Sequence, residues 1–268
     1  MSNLVIGSTS QLAHYFPASY EKISSYECFK EISKKQWNEV YLCFGENRTY
    51  LSNSNDSTII NSFYEINCKK TIETVNLFLN TAKKIVVFST SELWNDYTGP
   101  VSLSMPFKFR TNHYTTSKYQ MSSLLSDKKN YPNVSIAYPF NFNGVYRNGN
   151  FLFGKVFNSI IHNKKIELND TYFYRDLLHP SIVVEECRNR EIGEDFVIGS
   201  GRLTFVNDLI RNLYEAFDMK YENMVQEKIL EPGFYQNKIF YSKHQPLCQT
   251  ATNILDLLVK EIQTKYEN

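Results

Sequence analysis

Residues Leu4–Ala13 read LVIGSTSQLA. Three apolar residues, Leu4, Val5 and Ile6, run into Gly7, then small polar residues, then what reads as the start of a helix. A glycine after a buried strand permits a tight turn, and the free N–H groups of a following helix make a seat for a phosphate. A dinucleotide-binding turn of this kind carries G-x-x-G-x-x-G, whereas the three places here hold Gly7, Ser10 and Ala13. The stretch is therefore either a cofactor turn with two substitutions or an ordinary buried strand with its loop. The rest of the chain decides.

The chain has 268 residues, enough for one large domain with a small lobe. Hydrophobic residues make up 42% and charged residues 21%, a globular composition. Twenty-nine basic and 28 acidic residues leave a formal charge of +1, so no long-range field draws the protein to nucleic acid or to an anionic membrane. The first apolar run is too short for a signal-peptide core, and no later run reaches the length of a membrane span. A cytoplasmic location follows as the expectation. The five cysteines, Cys28, Cys43, Cys68, Cys187 and Cys248, are odd in number and far apart. They support neither a disulfide framework nor a zinc ribbon, and no histidine spacing suggests a metal.

Strand-like runs occur at Leu4–Ile6, Val40–Phe44, Ile85–Ser89, Val134–Phe140 and Phe196–Ile198. Most are continuously apolar rather than alternating, which favours strands buried on both faces and hence a parallel sheet. Between them lie helical patterns. In Phe63–Lys83 the apolar residues Phe63, Ile66, Ile72, Val75, Leu79 and Ala82 recur every three or four positions. Further helices are expected over about 115–125, Val206–Phe217 and Thr252–Ile262. This alternation predicts an α/β fold: a doubly wound, mostly parallel sheet with right-handed crossovers. The expected dinucleotide-binding domain spans 1–145, with a returning strand and helix near 180–217. Residues 146–180 and 218–268 form a smaller C-terminal substrate lobe.

In such sheets the C-terminal strand ends line the ligand crevice. Thr90, Ser91 and Glu92 follow the run "IVVFS" and sit at that edge. Tyr114 and Lys118 are four residues apart, so a helix places them on one face. A free tyrosine, with a pKa of about 10, is a poor general acid–base at neutral pH. An ammonium one turn away favours the phenolate and can also hydrogen-bond a cofactor ribose. A hydroxyl from Thr90 or Ser91 would hold the substrate oxygen whose proton moves to or from Tyr114. Taken alone, Y-x-x-x-K also describes an exposed helix turn; the order and separation of the fragments strengthen it.

With these fragments in order, the chain resembles the extended short-chain dehydrogenase/reductases, the branch that modifies nucleotide sugars. "STSELW" is similar to the S-T-S-E-[VL]-Y-G of GDP-mannose dehydratases and UDP-glucuronate decarboxylases. Counting back four residues from Trp94, where the family has Tyr, the resemblance implies Thr90 as the catalytic hydroxyl and Glu92 as an additional acid–base group. Tyr114 and Lys118 match the family's Y-x-x-x-K. "YEINCKKTIETVNLF" resembles Y-x-x-N-V-x-G-T-x-N-L-L and places Asn67 at the helix asparagine. "YPFNFNG" resembles R-x-F-N-V-Y-G and implies that Asn141 contacts substrate. "YRDLLHP" resembles R-D-[FY]-[IV]-H-V and makes Arg175 a candidate for the substrate diphosphate. "VIGSGRLTFVNDL" is similar to the family's N-[IL]-G-[ST]-G strand and following helix. His179 reads as structural.

In that frame LVIGSTSQLA reads as a softened cofactor turn. Gly7, Ser8, Thr9, Ser10, Gln11 and Leu12 would face the dinucleotide, with its pyrophosphate at the helix N-terminus. Ser10 adds one hydroxymethyl group, and Ala at the third place lies within the motif. No Asp closes the second strand; "YEKISSYE" offers Ser24 and Ser25. Without a carboxylate on the ribose hydroxyls, NADP is not repelled, so NADP is favoured slightly over NAD. Lys22 and Arg48 are candidates for a 2′-phosphate. Tyr138 stands where the family has Arg. The chain is shorter than family members, and the shortfall is expected in the C-terminal lobe. The implied function is an NAD(P)-dependent reduction of a keto-sugar carried on a nucleotide, by a homodimer. Epimerisation, dehydration or decarboxylation using Glu92 is the alternative, and a non-catalytic binding protein is a further one.

Overall fold

The computed structural model describes residues 2–27, 29–228, 240–243 and 253–266. Its centre is a six-stranded, all-parallel sheet. The strands are β1 (Ser2–Ile6), β2 (Glu21–Ile23), β3 (Trp37–Leu42), β4 (Ala82–Phe88), β5 (Val134–Pro139) and β6 (Phe196–Ile198), in the order β6-β5-β4-β3-β1-β2. Leu4, Val5 and Ile6 of β1 lie opposite Val40, Tyr41 and Leu42 of β3 and opposite Glu21, Lys22 and Ile23 of β2. The continuous apolar runs are buried on both faces, as expected: every residue of β5 and β6 is buried. The polar interruption in β4 also has its reason. Lys84 is buried and donates to the carbonyls of Cys187 and Arg190, closing the C-terminus of a helix on one face of the sheet.

On one face lie a long helical segment and a second helix. The long segment is Ser57–Tyr64, a π-turn Glu65–Lys70, and Thr71–Phe78. It starts earlier than the apolar period indicates because Asp56 caps it by accepting from the Thr58 N–H at 2.8 Å. It ends earlier because Ala82 and the following residues enter β4. The second helix, His113–Leu125, is started by Asn112, whose side chain accepts from the Thr115 N–H while Thr115 bonds back to the Asn112 N–H. On the other face lies Pro180–Asn189, capped by His179. A third core gathers Leu152–His162, Val206–Glu215 and Ile254–Tyr266. The returning unit expected near 180–217 therefore divides. Its strand joins the sheet and Pro180–Asn189 covers it, whereas Val206–Glu215 packs in the lobe.

The first crossover departs from expectation. Parallel strands are normally joined through a full α-helix. Between β1 and β2 there is only a four-residue 3₁₀ turn, Leu12–Tyr15, followed by Phe16 and Pro17. The crossover at the cofactor turn is thus itself abbreviated. Cys43, Cys68 and Cys187 are buried free thiols; Cys28 and Cys248 lie outside the described residues. No described helix is long and apolar enough to cross a membrane.

Candidate active site

Because all six strands run the same way, their C-terminal ends share one edge. The order reverses between β1 and β3, since β1 connects outward to β2 and the chain then returns to β3. That switch point opens a crevice. A cavity of about 780 Å³ fills it. Its wall includes Gly7, Thr9, Ser10, Gln11 and Leu12 from the first turn, Thr90, Ser91 and Glu92 after β4, and Tyr114 and Lys118 from one helix face. Asn141 and Arg175 line it as well. Ser8 and Ser24 are not on the wall, although Ser25 and Tyr26 are. One end of the cavity therefore uses Ser25, the second of the two serines after β2, together with Tyr26.

Gly7 has φ +102°, and a Cβ there would meet the Phe44 backbone nitrogen at 2.9 Å. A glycine is required by conformation and by the close approach of the β3 exit. The Ser10 hydroxyl accepts from the Ala13 N–H at 3.3 Å, so the substituted serine ties down the short turn. Ala13 is fully buried, and its methyl suits the tight packing of this turn.

Thr90 is extended and caps the Ser91–Trp94 turn, accepting from the Glu92 N–H at 3.2 Å. It lines the cavity together with Tyr114. Burial pushes the Tyr114 phenol up to about 12; the Thr90 hydroxyl and the nearby Arg147 pull it down, and Glu92 pushes it up. Lys118 is buried, and its ammonium donates to the Phe88 carbonyl at 2.7 Å. Desolvation draws its pKa down to about 8. The net effect at Tyr114 is upward, because desolvation outweighs the lowering by Thr90 and Arg147. Glu92 lies on the cavity wall, but one of its carboxylate oxygens accepts from the Asn95 amide at 2.9 Å.

Arg175 and Asp176 are not a surface ion pair. The Asp176 carboxylate is buried and accepts from the N–H groups of Ser200, Gly201 and Ser242 and from the Ser200 hydroxyl. It braces the loop after β6. Arg175 reaches the cavity over the Phe173 ring, with its guanidinium carbon 4.4 Å from the ring centroid. Asn67 is fully buried in the π-turn: it accepts from the Glu46 N–H at 2.8 Å and donates to the Glu46 carbonyl and the Ser117 hydroxyl. It thereby locks the loop leaving β3 against the helix that carries Tyr114 and Lys118. His179 is structural as expected, a helix cap joined to Glu261 at 3.1 Å.

Sequence reasoning missed two cations. Arg147, in the loop "NGVYRNGN", lines the cavity and donates to the Gln11 side chain at 3.2 Å. Lys70, at the end of the π-turn, lines it beside Tyr26 and Phe44, with its ammonium 5.1 and 5.7 Å from their ring centroids. The two cations named as 2′-phosphate candidates are engaged elsewhere. Lys22 donates to the Phe16 carbonyl, and Arg48 is paired with Glu46.

The site fits a dinucleotide on its own geometry. Gly7 makes a cradle that a side chain would fill, and buried polar atoms, Gln11 Nε2 and Arg147 Nε, are without partners beside it.

No protein-family model matches the chain. Over 147 residues it is 32% identical to GDP-6-deoxy-D-talose 4-dehydrogenase of Aggregatibacter actinomycetemcomitans, covering 52% of this chain and 46% of that protein. The match thus spans about half the length of this curated relative. Among solved structures, the chain superposes on RMD from Pseudomonas aeruginosa complexed with NADPH, with a TM-score of 0.80 at 14% identity, over 100% of this chain and 99% of that one. It is also similar to UDP-glucose 4-epimerase from Thermotoga maritima with UDP-glucose, with a TM-score of 0.79 at 15% identity, covering 100% and 98%. The dTDP-glucose 4,6-dehydratase of Streptomyces venezuelae with NAD bound gives 0.77 at 16% identity, covering 100% and 98%. The fold is the mostly parallel, Rossmann-like fold of these nucleotide-sugar structures. At the level of fold, the resemblance to the extended short-chain dehydrogenase/reductases is upheld.

Proposed function

We propose that this chain is a nicotinamide-dependent oxidoreductase that reduces a keto-sugar carried on a nucleoside diphosphate. The observation that carries the reading is the juxtaposition of Thr90, Tyr114 and Lys118 on the wall of a cavity that begins at Gly7. A bound nicotinamide would supply the hydride equivalent; the protein orients the reactants and handles the proton. Tyr114 stays a neutral phenol across the physiological range, so it has a proton to give to a developing alkoxide. Thr90 donates to the same oxygen. Lys118 uses one N–H on the Phe88 carbonyl, leaving donors for a ribose hydroxyl. Arg175, Asn141 and Ser91 face the substrate end, where a guanidinium suits a diphosphate.

Reduction is favoured over dehydration, epimerisation or decarboxylation by the state of Glu92. Those reactions ask for a second mobile acid–base group, and this carboxylate is held by Asn95. The partial likeness to a 4-dehydrogenase of a GDP-linked 6-deoxy sugar points the same way. NADP is favoured over NAD by the adenosine end. The residues directly after β2 are Ser24, Ser25 and Tyr26; the Glu27 carboxylate that follows accepts from the Ser24 N–H and is off the cavity wall, whereas Ser25, Tyr26 and Lys70 offer hydroxyls and a cation suited to a 2′-phosphate. Tyr64, Tyr119 and Leu124 expose apolar surface on the two helical segments covering one face of the sheet, which supports a homodimer built there.

The test mixes purified protein with NADPH and GDP-, UDP- or dTDP-linked 4-keto-6-deoxy sugars and follows loss of reduced-nicotinamide absorbance. Turnover of at least one is expected. Dinucleotide binding without turnover of any would leave a binding protein.

A further inference from the structure

The turn that opens the dinucleotide cradle lacks its usual support. In a doubly wound sheet a full helix follows that turn and packs it onto the sheet. Here Leu12–Tyr15 is a four-residue turn that runs straight into Phe16 and Pro17. Gly7, Thr9, Ser10, Gln11 and Leu12, which line the cavity, therefore stand on a short loop. Holding an irregular loop in one shape costs conformational entropy that other contacts must offset.

The last helix of the lobe supplies such a contact. Glu261 lies on Ile254–Tyr266, whose Ile254, Leu258 and Ile262 are buried in the lobe core. Its side chain is 17% exposed, and its carboxylate accepts from three different elements. The Tyr15 hydroxyl of the first turn donates to Oε1. The Val145 N–H, in the loop after β5, donates to Oε2 at 3.0 Å. The ring of His179, the cap of Pro180–Asn189, donates to Oε2 at 3.1 Å. Its Nδ1 faces the Ser181 N–H, which leaves Nε2 as the protonated nitrogen. Burial alone would raise the Glu261 pKa, but the bonds from His179, Tyr15 and Val145 outweigh it and hold the carboxyl below its usual range.

The junction is built tightly. The Tyr15 ring meets His179 edge-on at 5.2 Å and Tyr146 at 5.7 Å, which aims its hydroxyl. A Cβ on Gly144 would stand 2.0 Å from the Tyr15 hydroxyl oxygen and 3.0 Å from Glu261 Oε2, so the contact needs glycine there. Neither Tyr15 nor Glu261 is on the cavity wall.

We propose that Glu261 is a positioning residue for dinucleotide binding: acting through Tyr15, it braces the first turn from the last helix of the lobe, where a crossover helix is missing. This rests on the nicotinamide-dependent reading above. Cofactor binding is thereby coupled to the docking of that last helix against the sheet.

The test titrates full-length wild type, Y15F, E261Q and the double variant with NADPH and NADH, followed by reduced-nicotinamide fluorescence. Unfolding curves under the same conditions verify that each variant is folded. Y15F keeps the ring and removes one donor. It should weaken both dinucleotides by the same factor, about tenfold, the scale of one charge-assisted bond. E261Q should weaken them at least as much, and the double variant no further than E261Q, because the two changes break one link. With the nucleotide sugar that wild type turns over, KM for NADPH should rise in Y15F by that factor while kcat stays within about twofold, since Thr90, Tyr114 and Lys118 are untouched. Unchanged dinucleotide affinity in either folded single variant would overturn the assignment, leaving Glu261 to stability alone and the nicotinamide reading intact. So would losses that multiply in the double variant, or a lower kcat at unchanged KM. A wild type that binds neither dinucleotide would overturn both.

Discussion

Replacing Lys118 with methionine removes the charge and keeps most of the side chain's length. The lysine is 6% exposed, and its pKa falls from 10.5 to about 8 through desolvation. By linkage, that depression means the folded state disfavours the ammonium by about 3 kcal/mol relative to the neutral amine. The folded pKa lies below the unfolded one, so the penalty is fully present below pH 8 and fades as pH rises toward 10.5. The methionine variant escapes the penalty but leaves the Phe88 carbonyl without its partner, a loss of about 1–2 kcal/mol. Lys118→Met should therefore be more stable than wild type by about 1–2 kcal/mol at pH 7. The advantage should shrink and reverse as pH approaches 10. Urea unfolding of both proteins at matched pH values measures the difference, and groups common to both cancel. A difference that does not change with pH would refute the buried-ammonium reasoning. So would a variant that is less stable throughout by a constant amount. Turnover should be lost in the variant at every pH, because the stabilised site no longer presents a ribose donor.

Tyr114→Phe should leave dinucleotide affinity nearly unchanged and lower turnover by about two to four orders of magnitude, the scale of losing a general acid–base group; single-turnover rates check this. Gly7→Ala forces a side chain into a backbone with φ +102° and against the Phe44 nitrogen, and should destabilise the fold by more than about 1–3 kcal/mol in chemical unfolding. Lys70→Met should weaken NADPH about tenfold and NADH little, as expected for one charge-assisted contact to a 2′-phosphate; paired titrations decide it.

The central strands were legible because burial on both faces removes the need for polar alternation, leaving runs such as Ile85–Phe88 and Ile136–Tyr138 unbroken. The pair Tyr114–Lys118 was legible because a helix of any context puts residues four apart on one side. The first crossover was not. Leu12 and Ala13 read as a helix start, but Phe16 and Pro17 follow at once, and Pro17 is incompatible with continuing the turn. Lys70 was hidden by a π-turn, whose extra residue per turn shifts which side chains face the crevice and leaves no trace in a 3.6-residue period. Arg147 was hidden for a different reason. It sits among Asn and Gly residues that mark an exposed loop, and only the packing of the lobe brings it to Gln11. A lone arginine in a loop just past the strand end was the available signal. The roles of Arg175 and Asp176 separate only in three dimensions, where Asp176 is buried against the loop after β6 and Arg175 reaches the cavity.

The most direct measurement is transfer of label. Wild-type protein is supplied with NADPH carrying deuterium at the reactive nicotinamide carbon and with nucleoside-diphosphate 4-keto-6-deoxy sugars, and the sugar products are weighed by mass spectrometry. The account predicts one deuterium in the sugar of at least one product, and none in Tyr114→Phe over the same interval. Unlabelled sugars throughout, or equal labelling by the two proteins, would contradict it.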